Sequence, residues 1–489
     1  MKKYLTRNIM VMTCFILSLT SGSILAQNEG ENQSGLEKKF VGVWLGALKT
    51  TGSGELRVVF RIQEGGEGKL VAFLDSPDGG VTGIPVDEVT LEGVNLRLVI
   101  KSIGSIFDGT INVDGSIIEG EWTQESSSFP LTLKRVENVP ETLRSQEPQK
   151  PYPYQEEEVF YDNTGAGIEL AGTLTFPGSG GPFPAVLLIQ GSGPQDRNGS
   201  VFGHHKLLVL ADYLTRSGLA VLRFDKRGVG GSTGEISGAS YPDLSGDVTA
   251  GIEYLKSRKE IDSKRIGLVG HDEGGIIAQL VAAESPDVAF MVMMAGPGIK
   301  GDKERVLQMT GLFRAGGAGE EKVAALGSWL ESMFAVVNQE KDDSIAATRI
   351  RELYVKMSLD DKKLLGLSKV VLEGEIRQFL GPYFRETLSY DPGPVLMKVK
   401  CPVLAIIGSK DLQVPSAENL PAIQEALGTG GNRNYTVKEL PNLNHQFQAA
   451  ETGTPNEYAK IEETISPEAL KFIADWIVAQ TGNKTAGEK

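Results

Sequence analysis

Between residues 38 and 136 the apolar side chains recur at every second position. Leu56, Val58, Phe60 and Ile62 alternate with mostly polar neighbours, and Val94, Leu96, Leu98 and Ile100 do so again. A period of two turns one face inward and predicts β-strands. Turn sequences separate the runs, Ser76-Pro77-Asp78-Gly79-Gly80 in one place and Asp114-Gly115 in another. The pattern predicts a small all-β, barrel-like domain with Trp44 and Trp122 in its core. Residues 137–158 then carry Pro140, Pro148, Pro151 and Pro153 and end in Glu156-Glu157-Glu158, which reads as an extended linker.

From residue 159 to about 480 the pattern changes. Short apolar runs, at Ala185 to Gln190, Ala220 to Phe224, Arg265 to Val269, Phe290 to Met294, Val403 to Ile407 and Tyr435 to Glu439, are interleaved with amphipathic helical stretches. Continuous apolar strands alternating with helices predict an α/β fold with a mostly parallel sheet covered on both faces. The alternation breaks at about 298–390, where Glu, Lys, Ala and Leu recur at helical spacing. That stretch predicts a helical cap over the carboxyl edge of the sheet, with Trp329, Tyr354, Tyr383 and Tyr390 in it.

Composition narrows the class. The first 26 residues have Lys2, Lys3 and Arg7, an apolar run from Ile9 to Leu19 and the small Ala26, the pattern of a signal peptide cleaved near Ala26. The expected location is therefore secreted or periplasmic. Cys14 lies inside this segment, but Val11-Met12-Thr13 lacks the small residues of a lipid-attachment site; its removal leaves Cys401 without an intrachain partner. No later run approaches the roughly 18–20 apolar residues of a membrane span, so no stable membrane insertion is expected. The net charge of −14 argues against a nucleic-acid partner. A small-molecule substrate is expected; oligomeric state is not legible.

The chemistry centres on Gly270-His271-Asp272-Glu273-Gly274-Gly275, which joins an apolar strand to a helix. The glycines permit a turn sharp enough to hold the central side chain above the sheet. After the strand ending at Ile407 comes Gly408-Ser409-Lys410-Asp411, which offers an orienting acid. His445, in Asn444-His445-Gln446-Phe447, lies in the loop after the last strand, where it can exchange protons near neutral pH. The turn Gln190-Gly191-Ser192-Gly193-Pro194 can present the backbone N–H of Ser192 to a developing oxyanion, and Glu273, which follows the elbow residue, supplies a second N–H.

In these motifs, with Arg223-Phe224-Asp225-Lys226-Arg227-Gly228-Val229-Gly230-Gly231-Ser232 and the Gly408 to Pro415 loop, the chain resembles secreted bacterial carboxylesterases of the α/β-hydrolase fold. The resemblance spans about residues 159–480. It implies that fold, a cap, Asp411 as the orienting acid and His445 as the base. Two positions depart from it: Gln190 stands where the family has His, and Asp272 where it has Ser.

The second departure changes the reaction. A serine must lose its proton before attacking, whereas an aspartate, with a reference pKa of about 3.9, is already ionised. The expectation is a hydrolase of ester-like small molecules with an Asp272, His445, Asp411 constellation. One alternative is an Asp-nucleophile hydrolase of the epoxide hydrolase type, which such an elbow also resembles. Another is an inactive hydrolase-fold binding protein. Dehalogenation is disfavoured because Glu273 adds negative charge where a halide would sit.

The remaining features carry less. His204 and His205 have no accompanying carboxylate or cysteine cluster, so no metal is expected. Gly228, Gly230 and Gly231 lack the Lys-Ser/Thr ending of a phosphate loop, and no cofactor is expected. Asp225 and Arg227 are expected to pair within their loop, and His271 to pack or hydrogen-bond beneath the elbow.

Overall fold

The structure is a computed structural model that describes residues 38–50, 54–66, 69–77, 81–124, 127–138 and 144–482. The signal segment with Cys14, part of the Ser76 to Gly80 turn and residues 139–143 of the linker lie outside these. By contacts the described residues divide into two compact units, most of residues 38–138 forming one and residues 144–482 belonging to the other.

The N-terminal sheet has nine strands: β1 (Gly42–Thr50), β2 (Gly54–Glu64), β3 (Leu70–Ser76), β4 (Val81–Pro85), β5 (Glu88–Glu92), β6 (Asn95–Ile100), β7 (Ser105–Ile111), β8 (Ile117–Gln124) and β9 (Ser127–Val136). Their order is β4-β3-β2-β1-β9-β8-β7-β6-β5. Strands adjacent in sequence are thus adjacent in space except β4 and β5, which form the two edges, while β1 pairs antiparallel with β9. The expected barrel is accordingly an open, half-barrel sheet among the described residues. Alternation fixes which face is buried but says nothing about closure. Trp44 and Trp122 are core: the Trp44 ring is buried and its Nε1 donates to Phe40 O at 2.7 Å, and Trp122 packs against Phe60.

The second unit is built on eight strands: β10 (Tyr154–Asn163), β11 (Ile168–Pro177), β12 (Phe183–Ile189), β15 (Ala220–Phe224), β16 (Ile261–His271), β17 (Phe290–Met294), β18 (Val403–Gly408) and β19 (Tyr435–Leu440). A two-stranded ribbon, β13 (Ser200–Val201) with β14 (His204–His205), stands apart from them. The sheet order is β10-β11-β15-β12-β16-β17-β18-β19, with β11 antiparallel to its neighbours and β15 to β19 parallel. The six strands read from the sequence are all present. Two further ones were not read, and β10 begins at Tyr154, inside the stretch expected to be linker. The rest of that stretch is not a free spacer either. Arg144 donates to Ala459 O and Ile461 O, and Gln146 to Ile465 O.

Helices cover both faces, as apolar strands buried on two sides require. On one face lie α1 (Lys206–Arg216) and α13 (Pro467–Thr481). On the other lie α2 (Tyr241–Ser257), α3 (Glu273–Glu284), α10 (Pro392–Leu396) and α11 (Ser416–Thr429). The short α12 (Pro455–Tyr458) follows the last strand. Six helices fill the segment expected as a cap: α4 (Gly301–Ala315), α5 (Glu320–Gln339), α6 (Asp343–Lys356), α7 (Leu359–Leu365), α8 (Lys369–Phe379) and α9 (Pro382–Ser389). They hold a hydrophobic core of their own around Leu330, Met333, Phe334, Ile350 and Leu388. Trp329 belongs to it and donates to Glu375 Oε2 at 3.1 Å.

Candidate active site

Four loops at the carboxyl ends of β12, β16, β18 and β19 bring the residues singled out from the sequence together. At the end of β16 the chain turns through Asp272 with φ 55° and ψ −120°, a left-handed conformation for a side-chain-bearing residue, and enters α3 directly. Only glycines allow this. A Cβ on Gly270 would lie 2.0 Å from Gly274 O, and one on Gly274 would lie 2.4 Å from Ile189 O. The loop after β19 is held by Asn444, whose Oδ1 accepts from Gln446 N and Gln448 N.

His445 is held from the rear. Its Nδ1 donates to Asp411 Oδ2 at 2.8 Å, and Asp411 Oδ1 accepts from Gln413 N at 2.8 Å and Val414 N at 2.9 Å. Its Nε2 faces Asp272 Oδ1 at 3.9 Å, ion-pair but not hydrogen-bond distance. Asp272 Oδ2 points the other way and accepts from Ser192 N at 3.1 Å and Ser192 Oγ at 2.8 Å. One carboxylate thus spans the histidine and one of the two expected oxyanion donors. The second expected donor, Glu273 N–H, has no acceptor among the described residues.

The charges are coupled. Burial opposes ionisation of Asp272, yet His445, His271 and the Ser192 donors outweigh it and hold the carboxyl well below the usual range. Burial likewise opposes charge on His445, but Asp411 and then Asp272 raise its pKa above the ordinary value. Each group thus favours the charged form of the other.

Several residues that sequence reasoning did not single out complete the site. Lys226 Nζ donates to Gly191 O at 2.6 Å and Glu273 Oε2 at 2.8 Å, so one ammonium ties together the two loops that carry the expected oxyanion donors. Its pairing also offsets the negative charge counted against a halide at Glu273. Beneath the elbow, His271 Nε2 donates to His445 O at 2.9 Å, and Lys206 Nζ donates to His271 Nδ1 and Gln446 Oε1, each at 2.8 Å. Burial pushes the Lys206 ammonium down to about 7 and holds His271 neutral. Position in a motif signalled His271; nothing local marks Lys206 or Lys226 as buried. Gln190, the other departure, donates from Nε2 to Phe224 O and Asp196 O and holds the first loop.

A cavity of about 50 Å³ lies over Asp272, walled by Ser192, Glu273, Tyr241, Glu304, Tyr383 and Tyr390 among others. Of the cap tyrosines Tyr383 and Tyr390 reach it and Tyr354 does not; Tyr241, from α2, joins them. Burial raises all three phenols above their ordinary pKa, so they keep their protons.

One expectation needs correction. Asp225 and Arg227 do not pair with each other: Asp225 Oδ2 accepts from Arg197 Nη2, and Arg227 Nε donates to Asp247 Oδ2, both at 2.7 Å. Each turns toward a charge on a different element, which sequence proximity hides. His204 is buried between Thr464 Oγ1 and Tyr458 O, and no group of metal-ligating side chains occurs among the described residues.

Residues 204–359 match the family described as serine aminopeptidase, S33. Esterase EstD of Thermotoga maritima is 26% identical over 310 residues, 63% of this chain and 65% of that protein, so the match spans just under two thirds of its length. An uncharacterized 31.7 kDa protein of Escherichia coli is 28% identical over 234 residues, 46% of this chain and 73% of that one. Among solved structures, Est1E of Butyrivibrio proteoclasticus with ferulic acid bound is 14% identical with a TM-score of 0.40, over 66% of this chain and 99% of that one. Esterase Pf2001 of Pyrococcus furiosus is 16% identical with a TM-score of 0.37, over 67% and 93%. The matched family and the curated esterase support an esterase-like hydrolase of the α/β-hydrolase fold. Among the described residues no helix is long and apolar enough to cross a membrane.

Proposed function

We propose that the protein hydrolyses small ester-like molecules through Asp272 itself, with His445 and Asp411 serving it. The observation that carries this reading is the division of the Asp272 carboxylate between its two neighbours. Oδ1, ionised and beside the histidine, is the attacking oxygen. It bonds to the acyl carbon, and the bond from that carbon to the alcohol oxygen breaks, leaving a mixed anhydride on the enzyme.

That intermediate makes Asp272 neutral. His445 then loses one of the two charges that raise its pKa, gives up its Nε2 proton to solvent, which supplies the departing alcohol oxygen, and becomes a base. Its Nε2 takes a proton from water, and the water oxygen adds to Cγ of Asp272. The charge that develops falls on Oδ2, which already sits on the Ser192 N–H and hydroxyl. Collapse frees the product acid and restores the carboxylate.

Hydrolysis of p-nitrophenyl acetate by the purified protein tests the reading. The native chain turns over and His445→Ala lowers kcat by at least about a hundredfold, the lower end of acid–base contributions. Native protein without activity, beside an active Asp272→Ser variant, would mean that the scaffold binds but does not turn over.

A second reading, epoxide opening, draws on the same geometry. With Ser192 N–H engaged by Oδ2, attack at a saturated carbon needs no donor there, and the protonated Tyr241, Tyr383 and Tyr390 line the cavity. Faster turnover of styrene oxide than of p-nitrophenyl acetate would favour it. Export belongs to the proposal as well, supported by the basic and apolar pattern of residues 1–26; an intact N-terminus on the purified cellular protein would oppose it.

A further inference from the structure

The first turn of cap helix α4 carries a carboxyl group that the constellation above does not use. Glu304 is nine-tenths buried and lines the cavity that holds Asp272. Its Oε2 accepts from Asn419 Nδ2 at 2.9 Å. Asn419 is itself fixed: its Oδ1 accepts from Gly298 N at 2.7 Å and Ile299 N at 3.2 Å, and its Nδ2 also donates to Pro415 O at 2.9 Å. The other oxygen of Glu304, Oε1, is buried without a hydrogen-bond partner. A carboxylate in that position would be a buried charge with half its acceptors unmet, a costly state. A neutral carboxylic acid has one oxygen for Asn419 and one O–H to give.

We propose that Glu304 is the proton donor to the leaving oxygen of the substrate. The proposal rests on the hydrolase reading above and assigns it a further catalytic residue. As Asp272 Oδ1 bonds to the acyl carbon, the pair of the breaking C–O bond goes to the alcohol oxygen, which takes the Glu304 proton. Glu304 regains a proton equivalent to the one that His445 releases on becoming a base, and His445 recovers its own from the attacking water. Ester and water are thereby converted to acid and alcohol with nothing left over.

The surroundings favour the acid form. Burial is the largest influence and pushes Glu304 up to about 8; Asp411 and Asp272 add to it, against the Asn419 amide and Arg305. Of the other groups facing the cavity or lying just beneath it, Glu273 is paired with Lys226, and Tyr241, Tyr383 and Tyr390 stay protonated. His445 is shared by the two aspartates, and Lys206 lies under the elbow with its own pKa near 7. Because Lys206 and Glu304 titrate in the same range, a pH profile decides only when native and variant are compared.

The test compares leaving groups. p-Nitrophenolate departs without a proton, whereas ethoxide requires one. In Glu304→Gln, whose fold is checked by urea unfolding, kcat/KM for ethyl acetate falls on the order of a hundredfold further than that for p-nitrophenyl acetate. The native ethyl acetate profile falls as pH rises through about 8, and in Glu304→Gln this limb is gone. Glu304→Asp, which keeps an acid, retains more ethyl acetate activity than Glu304→Gln. Equal losses for both esters, no loss for either, or a native ethyl acetate profile without an alkaline fall each overturn the proposal and leave the hydrolase reading standing. Native protein inactive on both esters removes the hydrolase reading, and this assignment with it.

Discussion

Replacing a serine by an aspartate at the elbow changes the charge state of its neighbour before any substrate arrives. A serine leaves the histidine with one carboxylate; Asp272 gives His445 two, and the proton is held more tightly. The sign follows directly: His445 has a raised folded-state pKa, so its pairing stabilises the fold below the ordinary histidine pKa and is lost as pH rises through the folded value. Asp272→Asn removes one of the charges. The His445 imidazole, followed by NMR through a pH titration, should then titrate at lower pH than in the native protein; an unchanged midpoint would show that Asp272 does not reach it. Asp272, Asp411 and His445 could be read from the sequence because each follows a strand in a fixed order. Glu304, Lys206 and Lys226 could not. Their polar side chains suit helices or surface loops, and only tertiary packing buries them.

At the scale of elements, the turn is set by backbone clearance. Gly270 and Gly274 leave so little room that backbone atoms, which cannot rotate aside, would meet an added methyl group. Gly270→Ala should cost on the order of 3 kcal/mol in urea unfolding and remove turnover, because the turn must open to relieve the clash. A variant as stable and active as native would mean that the elbow tolerates a different path. Strands β12, β15, β16, β17 and β18 were legible because burial on both faces leaves an uninterrupted apolar run. Strand β10 was not, for the same physical reason in reverse: it is an edge strand, and Glu156, Glu157 and Glu158 face partly outward on it. Those glutamates, with the flanking prolines, read as linker.

For the molecule as a whole, the second unit keeps its cores separate. One lies on each face of the sheet and a third lies within the cap. The cavity lies where cap residues Glu304 and Tyr383 meet elbow residues Asp272 and Glu273, so two independently packed bodies supply its walls. Periodicity foretold the cap's helices and their place in the chain; which of their side chains would enter the cavity depends on docking that no local pattern encodes. Both the elbow and the cap bear on one central claim, that Asp272 takes the acyl group and is itself hydrolysed. Turnover of an ester in ¹⁸O-labelled water, followed by mass spectrometry of the peptide containing Asp272, tests it most directly. Addition of water at Cγ of Asp272 leaves labelled oxygen in that side chain, so the peptide gains the mass of one or more ¹⁸O atoms. Active turnover with the label confined to the released acid would contradict the account and assign the water directly to the substrate carbonyl.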